Sequence, residues 1–277
     1  MRTAMKKAWM DAKEKLNIKN PLIHCITSPI AINDCANVVL ALGAKPIMAE
    51  HPKEVEGVTK SARALGVSLA NITDVRAESM MISGKAALDS GIPSVLDAVG
   101  VTCSQFRKAL AEQFISECRP SVIKGNVSEI KALAGVDFSV SGIDVSENDR
   151  VSRENRAALE YMTSVVKKLA ENTGSVVMAT GETDIISDGK KTYYIENGSP
   201  LMARVTGTGC MLNCITAAFL SVTDAVTAAV LAAASLGISG ELADSRGGLG
   251  TYHINLIDAL SLLTEQQFSV RFHCHEA

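Results

Sequence analysis

The chain has 277 residues, of which 47% are hydrophobic, 21% charged and 4% aromatic, with a formal net charge of −3. That charge gives no electrostatic footing on nucleic acid or an anionic membrane surface, and so few aromatics argue against a base-stacking platform. A chain of this length buries roughly 75% of the surface its unfolded form exposes, so it needs no disulfide or metal staples.

Residues 1–19, MRTAMKKAWMDAKEKLNIK, are charged and amphipathic and read as an N-terminal helix without the apolar segment of a signal peptide. A strand is expected at Leu22–Thr27, then helices near Ala31–Leu42 and Pro52–Leu65 and a strand at Val67–Asn71. Next come a helix near Arg76–Ser90, a strand at Pro93–Val99, a helix near Cys103–Cys118 and a strand at Ser121–Gly125. The polar run SGIDVSENDRVSREN, Ser141–Asn155, reads as a surface loop before a helix near Arg156–Asn172 and a strand at Ser175–Thr180. Asp184–Asp188 and Lys191–Ile195 form a hairpin through Asp188-Gly189, and helices follow near Cys210–Leu220, Asp224–Leu242 and Ile254–Gln266. Residues 268–277 read as a flexible tail, with His273-Cys274-His275 metal-like in composition only. Strands separated by helices imply βαβ units on a mostly parallel sheet, in one α/β domain spanning 1–277. No stretch reaches the ~18 uninterrupted apolar residues of a membrane span. The seven cysteines are scattered without a CxxC pair, as expected of reduced thiols in a cytoplasmic protein.

In open α/β sheets ligands collect beyond the carboxyl ends of the parallel strands. Four such ends carry polar residues or glycine: Asp97, Lys124-Gly125-Asn126, Thr180-Gly181, and the turn VTGTGCMLN that contains Gly207, Thr208, Gly209 and Cys210. Glycines at a helix start let backbone N–H groups approach a bound anion, which the helix end also attracts. The same turn also serves as a plain strand-to-helix connection. A thiol at such a helix mouth is expected to have a lowered pKa. Its uses are nucleophilic catalysis, for which no histidine is close in sequence, or base chemistry in phosphoryl transfer; a small buried thiol is the bland alternative. Asp97 and Glu129 are carboxylates suited to Mg²⁺, directly or through water; Asp97 competes for this with a helix N-cap role, and Glu129 in NVSE with a capping box. Lys124 reaches a phosphate or is simply solvated. The hairpin covers a nucleotide or forms a sheet edge.

The segments PLIHCITSPIAINDCANVVLALGAKPIM, LDAVG, IKGNVSEIKALAGV, TGETDIISDG and PLMARVTGTGC, in this order between about Asn20 and Glu265, resemble the hydroxyethylthiazole kinase family of the ribokinase-like superfamily. The resemblance implies a three-layer α/β/α fold with a mostly parallel central sheet. It also implies transfer of the ATP γ-phosphate, with Mg²⁺, to the hydroxyl of 4-methyl-5-(2-hydroxyethyl)thiazole. By position it makes Cys210 the base, with Gly207, Thr208 and Gly209 as the anion site. It places Met48, Ser28 and Gly207 on the substrate, Lys124, Thr180, Asn126 and Gly181 on ATP, and Asp97 and Glu129 beside the metal. It further implies a homotrimer with active sites between subunits. Three residues depart from the family pattern: Ser28 stands for asparagine, Ala98 for proline and Lys124 for arginine. Ser28 keeps hydroxymethylpyrimidine and pyridoxal open as alternative alcohols, along with dehydration of hydrated nicotinamide nucleotides. The three departures together leave room for a non-catalytic nucleotide- or thiazole-binding protein.

Overall fold

The computed structural model describes residues 2–136, 151, 155–243 and 246–277. Apart from Val151 and Asn155, the polar stretch Ser141–Asn155 lies outside the described residues. After helix α1 (Arg2–Lys19) the chain alternates β1 (Leu22–Ile26), α2 (Ile32–Ala41), β2 (Lys45–Ile47), α3 (Val55–Ser61), β3 (Ala64–Ser68), α4 (Asp74–Asp89), β4 (Ser94–Asp97) and α5 (Gln105–Cys118). It continues with β5 (Val122–Asn126), α6 (Val127–Leu133), α7 (Arg156–Thr173), β6 (Val176–Thr180), β7 (Asp184–Ser187) and β8 (Thr192–Ile195). Helices α8 (Thr208–Leu220), α9 (Ala225–Leu242), α10 (Leu249–Ser261) and α11 (Glu265–Arg271) precede the last strand, β9 (Cys274–Glu276).

All nine strands join one sheet in the order β2-β1-β3-β4-β5-β6-β7-β8-β9. The first six run parallel, and β7, β8 and β9 extend the edge antiparallel. Helices cover both faces, and the period-two side-chain alternation of strands explains how. Ile23, Ala64, Val95, Val122 and Val176 join the apolar layer that holds α2, α8 and α9. Their neighbours Leu65, Leu96, Ile123 and Val177 enter the opposite layers under α4, α5 and α7. The result is the expected three-layer α/β/α arrangement with a mostly parallel sheet.

Several boundaries differ from sequence expectation, each for a packing reason. The helix expected over Pro52–Leu65 stops at Ser61, because Arg63 N–H donates to Leu22 O and Ala64 pairs with Ile23. The strand expected at Val67–Asn71 is therefore Ala64–Ser68, and Leu69–Asn71 lie beyond its end. The helix expected at Ile254–Gln266 divides into α10 and α11, since Thr264 and Gln267 form a capping box that starts a new helix. Edge strand β2, Lys45-Pro46-Ile47, escaped notice: it is short and carries a proline, which an edge tolerates. Helix α9 is, among the described residues, the one helix long and apolar enough to cross a bilayer, yet 72% of it is buried within the fold.

The expected flexible tail is instead structured. Phe268 stacks on Trp9 with ring centroids 4.7 Å apart and on Phe272 at 5.0 Å. Both phenylalanines are fully buried, and Cys274 pairs with Ile195 across β8 and β9. The aromatic stack ties the chain's two ends together over α9. Phe268→Ala should therefore lower the unfolding free energy by about 3–5 kcal/mol in denaturant titration; a loss under about 1 kcal/mol would restore the picture of a loose tail.

Candidate active site

The site begins with one row of side chains across three strands. Ser68 of β3 is the register partner of Asp97 of β4, and Asp97 is the partner of Lys124 of β5. Strand parity places all three on the α8 face of the sheet, and all three are buried. Lys124 Nζ donates to Asp97 Oδ1 at 2.9 Å and to Gly209 O at 3.0 Å. Ser68 Oγ donates to Asp97 Oδ2 at 3.1 Å. Burial by itself would lower the pKa of Lys124, but the charge and hydrogen bond of Asp97 outweigh it and hold the ammonium above its ordinary value. Asp97 thus binds a cation, and the N-cap alternative falls away because the next helix starts only at Gln105.

Helix α8 opens at Gly207, whose φ of +90° suits glycine and whose hypothetical Cβ would lie 2.9 Å from Ala31 Cβ. No side chain caps this end, so the first-turn N–H groups, those of Thr208, Gly209 and Cys210, lack intrahelical partners. Thr208 uses its hydroxyl to donate to Met202 O at 3.2 Å, which pins the turn to the short 3-10 segment Pro200–Arg204. Unpartnered N–H groups at a helix start suit an anion and need no reorganisation to meet one.

Cys210 sits at 8% exposure, 3.9 Å from Ser68 Oγ. Its expected low pKa is overturned: burial chiefly, then the charge of Asp97, push the thiol up, and Lys124 only partly offsets them. The residue is a thiol, not a thiolate, at neutral pH. Sequence spacing showed the helix end but not the carboxylate and the buried setting behind it.

Of the four residues that the resemblance places on ATP, three share one cavity, and Asn126 is not among its lining. Lys124, Thr180, Gly181, Thr208 and Gly209 line one cavity of about 850 Å³, whose far wall is Leu236 and Gly237 of α9. At Gly237 a Cβ would lie 2.4 Å from Asn197 O, so only glycine lets the loop after β8 lie against α9. The ends of the β7–β8 hairpin, at Asp184 and Glu196, therefore border the cavity, while the sheet edge itself is β9. Asp184, also in the wall, was not foreseen. Its carboxyl accepts Gly181 N–H at 2.9 Å, yet burial raises its pKa to about 7, opposed by that bond and by Lys124.

Asn126 and Glu129 do not line that cavity and meet at the start of α6. They form a capping box for α6: Glu129 N–H donates to Asn126 Oδ1 at 2.9 Å, and Asn126 N–H to Glu129 Oε2 at 2.7 Å. The other carboxylate oxygen of Glu129 accepts Gly100 N–H at 2.9 Å. Both oxygens of Asp97 likewise accept, from Lys124 and Ser68. Among the described residues no three His, Cys, Asp or Glu side chains gather as a metal site. Each oxygen of Asp97 and Glu129 accepts one hydrogen bond and keeps a further lone pair, so the two carboxylates fit Mg²⁺ that arrives with a phosphate and not a closed all-protein site.

On the other side of Gly207, Ser28 follows β1 and Met48 follows β2; neither lines the cavity. Ser28 is buried and donates to Asn71 Oδ1 at 3.0 Å, and Met48 is half-buried against the α8-side core. Ala98, the other departure, is fully buried, and its N–H donates to Lys124 O at 2.8 Å, a bond that a proline there would lack. Arg76, unforeseen, is buried beneath this rim and donates to the carbonyls of Thr27 and Asn71, joining the ends of β1 and β3. An isolated arginine in a helical segment gives no sequence signal of such a role.

Comparison with known proteins agrees with this geometry. Residues 14–266 match the family model described as the hydroxyethylthiazole kinase family. Hydroxyethylthiazole kinase 2 of Clostridium botulinum is 48% identical over 256 residues, 92% of this chain and 96% of that protein. The structure of a hydroxyethylthiazole kinase protein from Pyrococcus horikoshii superposes with a TM-score of 0.87 at 30% identity, covering 98% of this chain and 99% of that one. The pyridoxal kinase of Staphylococcus aureus, solved with ADP, shares the fold at a TM-score of 0.60 and 15% identity, over 80% of this chain and 88% of its own.

Two outcomes test the site. Gly207→Ala forces a Cβ against Ala31 at positive φ and should destabilise the chain by about 1–3 kcal/mol while removing most nucleotide affinity, read by thermal melts and calorimetry. Asp184 keeps its proton up to about pH 7, so nucleotide polyphosphate should bind more tightly as pH falls through that value. In Asp184→Asn that extra pH dependence should vanish; an unchanged profile would remove Asp184 from the phosphate environment.

Proposed function

The chain belongs to the hydroxyethylthiazole kinase family, and on that premise we propose that it transfers the γ-phosphate of ATP to the hydroxyl of 4-methyl-5-(2-hydroxyethyl)thiazole. The reaction feeds thiamine biosynthesis or salvage. The observation that carries this reading is the uncapped start of α8, which stands between the 850 Å³ cavity and the ends of β1 and β2.

In this reading the nucleotide lies in the cavity, with its phosphates toward Lys124 and the N–H groups of Thr208, Gly209 and Cys210. Two of the three Lys124 hydrogens are committed to Asp97 and Gly209 O, and the third is left for a phosphate oxygen. Thr180 and Gly181 border the same cavity and flank the nucleotide. Mg²⁺ is taken as part of the nucleotide substrate, and it neutralises phosphate charge. The thiazole alcohol enters from the Met48 and Ser28 side, with its hydroxyl directed at Cys210. Phosphoryl transfer has a loose transition state in which the acceptor loses its proton late, so a protonated thiol nearby is no obstacle. The backbone N–H groups of α8 stabilise the transferring group, the larger share of such catalysis.

The same premise takes residues 1–277 as one kinase domain and the assembly as a homotrimer with sites between subunits. Ile30, 67% exposed on the rim next to Ser28, is the kind of surface a neighbouring copy would cover. All seven cysteines are free, which suits the cytoplasm.

Phosphate transfer from MgATP should be measured with the thiazole alcohol, hydroxymethylpyrimidine and pyridoxal side by side. Preferential turnover of the thiazole is expected. Preference for another alcohol would keep the fold and phosphoryl chemistry but overturn the substrate. No turnover of any, with tight ligand binding, would make this a binding protein.

A further inference from the structure

We propose that Ser68 is a positioning residue: by accepting the Cys210 S–H it turns the sulfur lone pairs toward the acceptor alcohol. The inference rests on the kinase reading above and extends it to a residue outside the glycine turn. Ser68 closes β3 and is fully buried between two groups of the site. Its oxygen lies 3.1 Å from Asp97 Oδ2 and 3.9 Å from Cys210 Sγ.

The direction of these bonds follows from what each group can give. Asp97 faces the Lys124 ammonium at 2.9 Å, so it is an ionised carboxylate with no hydrogen to donate. The single Ser68 hydrogen therefore goes to Asp97. Its oxygen is left to accept, and Cys210 is the donor. With S–H pointed at Ser68, the sulfur lone pairs remain for an alcohol at the mouth of α8. A thiol whose pKa is raised by burial keeps its hydrogen for Ser68 and so holds this orientation.

The step balances. The acceptor oxygen bonds to the γ-phosphorus as the bond from that phosphorus to the departing ADP oxygen breaks. The acceptor's hydrogen, held toward Cys210 Sγ until late in the step, passes to an oxygen of the transferred phosphoryl group. Cys210, Ser68 and Asp97 end as they began.

The test uses steady-state kinetics of the full chain with MgATP and whichever alcohol the wild type turns over best. Ser68→Ala should lower kcat about 10–100-fold, the scale of a misplaced catalytic group, with KM for both substrates within about twofold. Ser68→Thr, which keeps the hydroxyl, should recover most of the loss. Because Ser68 acts through Cys210, adding Ser68→Ala to Cys210→Ala should cost almost nothing further. A Ser68→Ala enzyme within about twofold of wild-type kcat, a loss confined to KM, or a full Ser68→Ala penalty on the Cys210→Ala background would each overturn the positioning role. The wild type's choice of alcohol tests the substrate reading separately, since these ratios are read on any acceptor.

Discussion

The buried ion pair between Lys124 and Asp97 is the constraint on which the site depends. Removing two charges from water costs several kcal/mol per ion, and replacing such a pair by apolar residues is often neutral or stabilising. Here the pair does something apolar residues cannot. It joins the ends of β4 and β5, and through Gly209 O it ties both to the first turn of α8. Losing either partner would leave the other charge buried and also free the helix mouth.

Around that anchor two close approaches depend on very small residues. Gly207 turns the chain where Ala31 leaves no room for a side chain, and Gly237 lets the loop after β8 lie on α9. Helices α8 and α9 are buried along most of their length, so the helix start cannot shift without disturbing the core. An anion site made from backbone amides is only as well placed as the helix that presents them. That is a reason for a glycine turn proposed to bind phosphate to be followed by a helix with so little freedom.

Cys210 shows how tertiary context reverses a local rule. A helix N-terminus with a neighbouring cation should favour thiolate. Burial and the Asp97 carboxylate run the other way and prevail. Arg76 makes a similar point: it lies in an ordinary-looking helical segment, yet its guanidinium bonds two carbonyls at the ends of separate strands.

The sequence by itself determined the α/β class, the parallel strands and the rim on which function collects, because apolar period and glycine placement are local signals. It also identified Lys124, Thr180, Gly181 and the Gly207–Cys210 turn, which the structure brings to one cavity edge or helix mouth. It recognised the NVSE capping box, and the structure gives Glu129 that duty. Strand register lay beyond it. Parity places Ser68, Asp97 and Lys124 on one face, but only the pairing of β3, β4 and β5 sets them in a row. Likewise nothing local brings Phe268 and Phe272 to Trp9, or Asp184 to the cavity wall. Local propensity depends on neighbours in the chain, whereas burial, pKa and register depend on neighbours in space, and those are decided only when the sheet closes.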